Sequence, residues 1–133
     1  ILTSKNKIKI FTKYKKIHTL IVKPKFGCST KEIYSKVKNF ERPKLDRPNK
    51  NMFNLDYLKK MNNNLELIVF SKYPNLKKIK LFIEKSLNPV FVRMSGSGSV
   101  LVAYFKSKKI CELAKKKFNK KYKNYWCIAS KTI

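Results

Sequence analysis

Val90-Phe91-Val92-Arg93-Met94-Ser95-Gly96-Ser97-Gly98-Ser99-Val100-Leu101-Val102-Ala103-Tyr104-Phe105 reads as two apolar strands joined by a Gly/Ser turn. Two of the chain's three glycines stand one residue apart in that turn. Glycine admits φ > 0 and close backbone approach, so a chain this poor in it is building something specific there. Two readings fit: a tight hairpin turn, or a small-residue loop whose N–H and hydroxyl groups face a phosphate. Under both, strands 90–94 and 100–105 pair, and the rest of the chain is arranged around them.

Downstream, Lys106-Ser107 opens a helix over 107–119, with Ile110, Cys111, Ala114 and Phe118 on its buried side. Tyr125-Trp126-Cys127-Ile128-Ala129 is a closing strand. Upstream, His18-Thr19-Leu20-Ile21-Val22-Lys23 is a β-branched run ended by Pro24, a buried strand. After the turn Lys25–Cys28, Ser29-Thr30-Lys31-Glu32 has the form of a capping box. Ile33, Tyr34, Val37 and Phe40 then follow at helical spacing, which predicts a helix over 30–39. Pro43 and Pro48 mark 41–51 as a loop. Leu55, Leu58 and Met61 suggest a short helix at 54–61, broken by Asn62-Asn63-Asn64, which can cap the next. Leu65, Ile68, Val69 and Tyr73 mark one face of that next helix. Pro74 starts another at its first turn, where the missing N–H is harmless, and Leu76, Ile79, Phe82 and Ile83 give it an apolar stripe.

The order taken from these segments is β-α-α-α-β-β-α-β. It predicts an α+β fold, a ferredoxin-like split β-α-β sandwich with a four-stranded antiparallel sheet and helices on one face. Residues 1–17, with Ile8, Ile10, Phe11 and Tyr14 in a Lys-rich run, are expected to be a remnant of a preceding domain or a connecting strand; the domain itself is expected over 18–133. The first residue is Ile1 rather than Met, and the chain reads as a piece of a longer protein.

Composition narrows the function classes. An apolar fraction of 43% excludes a disordered chain. No apolar run approaches a membrane span, and Ile1-Leu2-Thr3-Ser4-Lys5 does not open a secretory signal, so a cytoplasmic protein is expected. Net charge is +26, yet only Arg42, Arg47 and Arg93 among the 33 basic residues are arginine, the type suited to bidentate phosphate and base recognition. Lys in excess beside abundant Asn, Ile, Phe and Tyr is what A/T-rich codons encode. Base composition therefore accounts for the charge without a selected polyanion partner, and nucleic acid is expected to bind only non-specifically. Cys28, Cys111 and Cys127 form no CxxC pair and His18 is the single histidine, so no metal site is expected. Nor does His18 belong to a catalytic triad, and Asp46 and Asp56 stand isolated among lysines. Glu66 reads as a cap or ion-pair partner near its helix start, and Arg93 as a surface charge.

Four stretches, in order, carry a resemblance. They are Leu20-Ile21-Val22-Lys23-Pro24, Ser29-Thr30-Lys31-Glu32-Ile33-Tyr34, Asn63-Asn64-Leu65-Glu66 and Arg93-Met94-Ser95-Gly96-Ser97-Gly98-Ser99. Together with Trp126-Cys127-Ile128-Ala129, they make roughly residues 18–130 resemble the C-terminal half of the GHMP small-molecule kinases. The match is to the members that phosphorylate a cytidine-diphosphate-linked methylerythritol of non-mevalonate isoprenoid biosynthesis. Asn64 departs from that family's N-D-L-E, where the second residue is Asp.

The resemblance implies an ATP-dependent kinase as the parent protein, with ATP and Mg2+ bound mainly by an N-terminal kinase domain in cis. The family's P-loop-like motif, catalytic Asp and phosphate-contacting Lys belong to that domain. No catalytic residue is therefore expected here, and the fragment alone should be inactive. It also implies that Tyr34 stacks on the cytosine of the substrate, with Thr30 beside it. From the residues alone, the favoured reading is instead a core aromatic at Tyr34 and a plain cap at Thr30. The resemblance further implies that Ser95, Gly96, Ser97 and Gly98 form a glycine-rich loop against the cleft. The rival is a small basic RNA/DNA-binding ferredoxin-like protein, whose K/R-G-F/Y-G pattern is absent from Val100–Phe105.

Overall fold

The structure is a computed structural model that describes residues 15–38, 49, 52 and 54–132. Residues 1–14 of the expected connecting segment, Phe40 and most of the loop over 41–51 lie outside the described residues. The elements are β1 (His18–Lys23), α1 (Thr30–Ser35), α2 (Leu55–Lys60), α3 (Leu65–Lys72), α4 (Pro74–Ser86), β2 (Phe91–Met94), β3 (Leu101–Phe105), α5 (Lys108–Lys121) and β4 (Trp126–Lys131). Four strands make one antiparallel sheet in the order β2-β3-β1-β4, the split β-α-β arrangement expected. Leu20 stands opposite Ala103 on one side and Ala129 on the other, which sets the register of the two central strands. Beyond β1, the pairing continues by one residue: Ile17 accepts from the Thr132 N–H at 2.9 Å and donates to its hydroxyl at 2.9 Å.

Strand alternation decides the core. Leu20 and Val22 of β1, Val92 and Met94 of β2, and Leu101, Ala103 and Phe105 of β3 all turn to one side and are buried. They meet Ile79 and Ile83 of α4 and Cys111, Ala114 and Phe118 of α5 in one cluster. Each Leu, Ile or Phe fully buried there contributes about 1.5–3 kcal/mol. Phe82, Phe118, Tyr122 and Tyr125 stack edge to face and in parallel, tying α4 to α5 and to the start of β4.

Two expectations are corrected. The crossover from β1 to β2 holds four helices, the four segments read in the sequence, so the order written from them is one α short. Pro74 has no N–H and disfavours helical backbone at Tyr73 (φ −119°, ψ 73°), which divides α3 from α4. The first helix runs over Thr30–Ser35 instead of 30–39. Lys36 closes it by donating to the carbonyls of Ile33 and Tyr34, and only Ile33 is buried, so no apolar stripe extends it.

Candidate functional site

The Gly/Ser turn and the start of α1 come together at one end of the sheet. Ser29 caps α1, its hydroxyl accepting from the Glu32 N–H. That cap leaves the next residue, Thr30, at the helix mouth, where its hydroxyl hydrogen-bonds the Ser97 hydroxyl at 2.9 Å. Ser99 donates to the Phe26 carbonyl at 2.8 Å, pinning the far end of the loop to the turn that precedes α1. Within the loop, the Ser95 N–H reaches Val100 O at 2.8 Å and the Gly98 N–H reaches Ser95 O at 3.1 Å.

The two glycines are needed for different reasons. Both have positive φ, +55° at Gly96 and +96° at Gly98. A Cβ on Gly96 would meet open space, whereas one on Gly98 would lie 3.0 Å from Cys28 Sγ and 3.3 Å from Met94 Sδ. Gly96→Ala is expected to lower stability by about 1 kcal/mol through its backbone alone, and Gly98→Ala by more than twice that amount. Urea unfolding of the two variants checks the ranking.

Tyr34 stands one turn after Thr30 on the same side of α1. It is 53% exposed, so it is not the core aromatic that its spacing also allowed. An exposed aromatic, the Thr30–Ser97 hydroxyl pair and the Ser95–Gly98 turn therefore border one surface. Beside them, Glu32 is ion-paired with Lys72, whose ammonium also lies over the Tyr73 ring. Burial pushes the Cys28 thiol up from its ordinary value, against a smaller opposing effect of Lys72. Burial pushes the Cys111 and Cys127 thiols up to about 11, so these thiols stay neutral at pH 7. Such a surface presents an aromatic face beside hydroxyl groups.

The side of the loop facing α3 is held by Asn63, Glu66 and Arg93; Glu66 is the ion-pair partner expected and Asn63 a helix cap, while their contacts to the loop and the strand end were not legible in the sequence. Asn63 donates through Nδ2 to Met94 O at 2.9 Å and to Gly96 O at 2.7 Å. Glu66 accepts the Met94 N–H at 2.7 Å on Oε1 and the Lys80 ammonium at 2.5 Å on Oε2. Arg93, on the opposite side of β2 from Met94, donates to the carbonyls of Leu58 (2.6 Å) and Met61 and covers the Phe91 ring. It stitches the end of α2 to the sheet rather than ranging over the surface. For these long-range contacts the only sequence signal was the presence of N-N-L-E and R-M-S-G-S-G in one chain.

The family described as GHMP kinases C terminal matches residues 37–124. The chain belongs to that family. Its relatives include the 4-diphosphocytidyl-2-C-methyl-D-erythritol kinase of Pelagibacter ubique, 50% identical over 133 residues, which are all of this chain and 47% of that protein. The kinase of the same name from Clostridium beijerinckii is 36% identical over 113 residues, covering 79% of this chain and 39% of the relative. This GHMP kinase C-terminal chain thus spans about half the length of the curated relatives it matches. A crystal structure of 4-(cytidine 5'-diphospho)-2C-methyl-D-erythritol kinase superposes with a TM-score of 0.66 at 20% identity, over 87% of this chain and 43% of that one. At that identity the likeness establishes the fold: a GHMP C-terminal domain with its four-stranded antiparallel sheet. The rival RNA-binding reading finds no support among these relatives.

Proposed function

We propose that the chain is the substrate-side half of an ATP-dependent kinase that phosphorylates 4-diphosphocytidyl-2-C-methyl-D-erythritol in non-mevalonate isoprenoid biosynthesis. The observation that carries this reading is the 50% identity, sustained over every residue, to a kinase of that name. In it, residues 18–133 form the C-terminal domain, residues 1–17 connect to an N-terminal kinase domain in cis, and the complete enzyme works in the cytoplasm. Among the described residues no helix is long and apolar enough to cross a membrane.

The residues fit a binding role. Tyr34 offers its face to the cytosine ring, a contact worth about 1–3 kcal/mol per stacked base. Thr30, Ser95 and Ser97 offer hydroxyl groups to the nucleotide and its diphosphate. Phosphoryl transfer rests mainly on positioning and electrostatic stabilisation, so such a wall assists without donating or accepting the transferred group. ATP and Mg2+ are assigned mainly to the N-terminal half. Glu32 and Glu66 are engaged by lysines, and among the described residues no three His, Cys, Asp or Glu side chains gather as a ligand set. The described residues of this half thus offer no such set, and no step is drawn through Mg2+.

The test is isothermal titration of the full-length protein with the diphosphocytidyl substrate, followed by an ATP-dependent phosphorylation assay. Binding and phosphorylation of its 2-hydroxyl are expected, and this chain alone is expected to transfer nothing. Absence of binding, together with binding of another GHMP kinase substrate, reassigns the protein.

A further inference from the structure

One amide side chain holds three backbone groups at the base of the Gly/Ser loop. Asn63 Nδ2 donates to the carbonyls of Met94 and Gly96, the two residues that flank Ser95, while its Oδ1 accepts the Leu65 N–H at 3.1 Å. Asn64 occupies the N-cap position of α3 but makes no side-chain cap bond. Asn63 therefore caps α3 with its oxygen and grips the loop with its nitrogen. Two donors and one acceptor on a short planar group is what an Asn side chain offers. Aspartate has the same shape and caps a helix equally well, but its carboxylate presents only acceptors.

The grip falls where the loop's geometry is set. Gly96 O lies between the +55° φ of Gly96 and the Ser97 hydroxyl that meets Thr30. Holding Met94 O and Gly96 O on one nitrogen fixes the direction in which the chain leaves β2, and with it where the Ser95 and Ser97 hydroxyls stand. Glu66 takes the Met94 N–H from the same helix, so α3 holds the strand end through both its donor and its carbonyl. The opposite side of the loop is tied to the α1 region through Thr30 and Phe26. The loop is thus stretched between two helix starts.

We infer that Asn63 is a positioning residue for phosphoryl transfer, acting through the Ser95–Gly98 loop without touching the substrate; this rests on the kinase reading above. The donor groups of the loop, and not the cap of α3, are what its amide nitrogen serves. Asn63→Asp separates the two roles, because it keeps the cap and turns a donor pair against two carbonyl oxygens into an acceptor pair. Asn63→Ala removes both and leaves room for a water to bridge the carbonyls.

The experiment uses full-length wild type, Asn63→Asp and Asn63→Ala, with two readouts. Steady-state kinetics with ATP and the diphosphocytidyl substrate give kcat and KM separately, and 15N–1H spectra without substrate report the Gly96 and Gly98 resonances. In Asn63→Asp we expect kcat to fall tenfold or more with KM within threefold, both glycine resonances to move, and a Tm at or below that of Asn63→Ala. Wild-type kcat with unmoved glycine resonances overturns the inference. So does an Asn63→Asp Tm equal to wild type beside a lowered Asn63→Ala Tm, the signature of a helix cap alone. If wild type does not phosphorylate the substrate, the kinase reading fails, and the glycine resonances still decide whether Asn63 holds the loop. Should Asn63→Asp not fold, Asn63→Ala carries both readouts. A kcat loss of at least threefold is then expected, and an unchanged kcat overturns the inference.

Discussion

Replacing Tyr34 by Ala in the full-length protein is expected, on the kinase reading proposed above, to raise KM for the diphosphocytidyl substrate tenfold or more. The argument starts from exposure. Ile33 turns into the core while Tyr34, the next residue, is more than half in solvent. An aromatic ring left in water has little to lose in the fold when truncated, so the Tm should move by less than about 2 °C. What it loses is a platform. Base stacking worth about 1–3 kcal/mol corresponds to roughly 5- to 150-fold in affinity. Tyr34→Phe keeps the ring and should leave KM within threefold of wild type, which separates stacking from any hydrogen bond of the phenol. An unchanged KM in Tyr34→Ala removes the residue from the cytidine site. A large KM change confined to ATP would move it to the other nucleotide.

The sheet and its long helices were legible because their signals are local. Alternation at 90–94 and 100–105 gives the hairpin, and the stripes Leu76-Ile79-Ile83 and Cys111-Ala114-Phe118 give the faces that α4 and α5 bury. Pro74 announces a helix start by chemistry that acts on its own backbone. The end of α1 carried no such mark. Val37 and Phe40 continue the spacing of Ile33, so a pattern suited to one more turn extends past Ser35, where the helix stops.

The candidate site was legible only in part, for a related reason. Ser29 as a cap is a contact across three residues. Thr30 with Ser97, and Asn63 with Met94 and Gly96, are contacts across 67, 31 and 33 residues. Composition and periodicity hold no information about such pairs; a motif order shared with a family does. Thus the resemblance brought Asn63-Asn64-Leu65-Glu66 and the Gly/Ser loop onto one page, while their three-dimensional contacts give each residue its task. Arg93 illustrates the limit in the other direction. A lone Arg before a turn suggests a solvated charge, yet its guanidinium meets the carbonyls of Leu58 and Met61 at the end of α2, where helix carbonyls run short of N–H partners.

Glu66→Ala is expected to lower the stability of the domain by about 2–4 kcal/mol, the second large effect. Glu66 and Lys80 keep only 15% and 18% of their side-chain surface, so the pair is largely removed from water. Removing one member of a buried pair strands the other charge and typically costs about 3–5 kcal/mol; partial access to solvent here sets the lower figure. Lys80 retains Glu84, a turn further along α4 at 3.7 Å, which recovers some of the loss. The same truncation deprives the Met94 N–H of its acceptor at the end of β2, a further loss of about 1 kcal/mol. Glu66→Gln distinguishes the two contributions. Its carbonyl oxygen still accepts from Met94 while the ion pair is gone, so it should fall between wild type and Glu66→Ala. Lys80→Ala in the Glu66→Ala background should then cost little more, because the charge it removes is already without its main partner. Urea unfolding at low and at 0.5 M salt provides the measurement. A Glu66→Ala loss under about 0.5 kcal/mol, or one abolished by salt, would make the pair a surface contact.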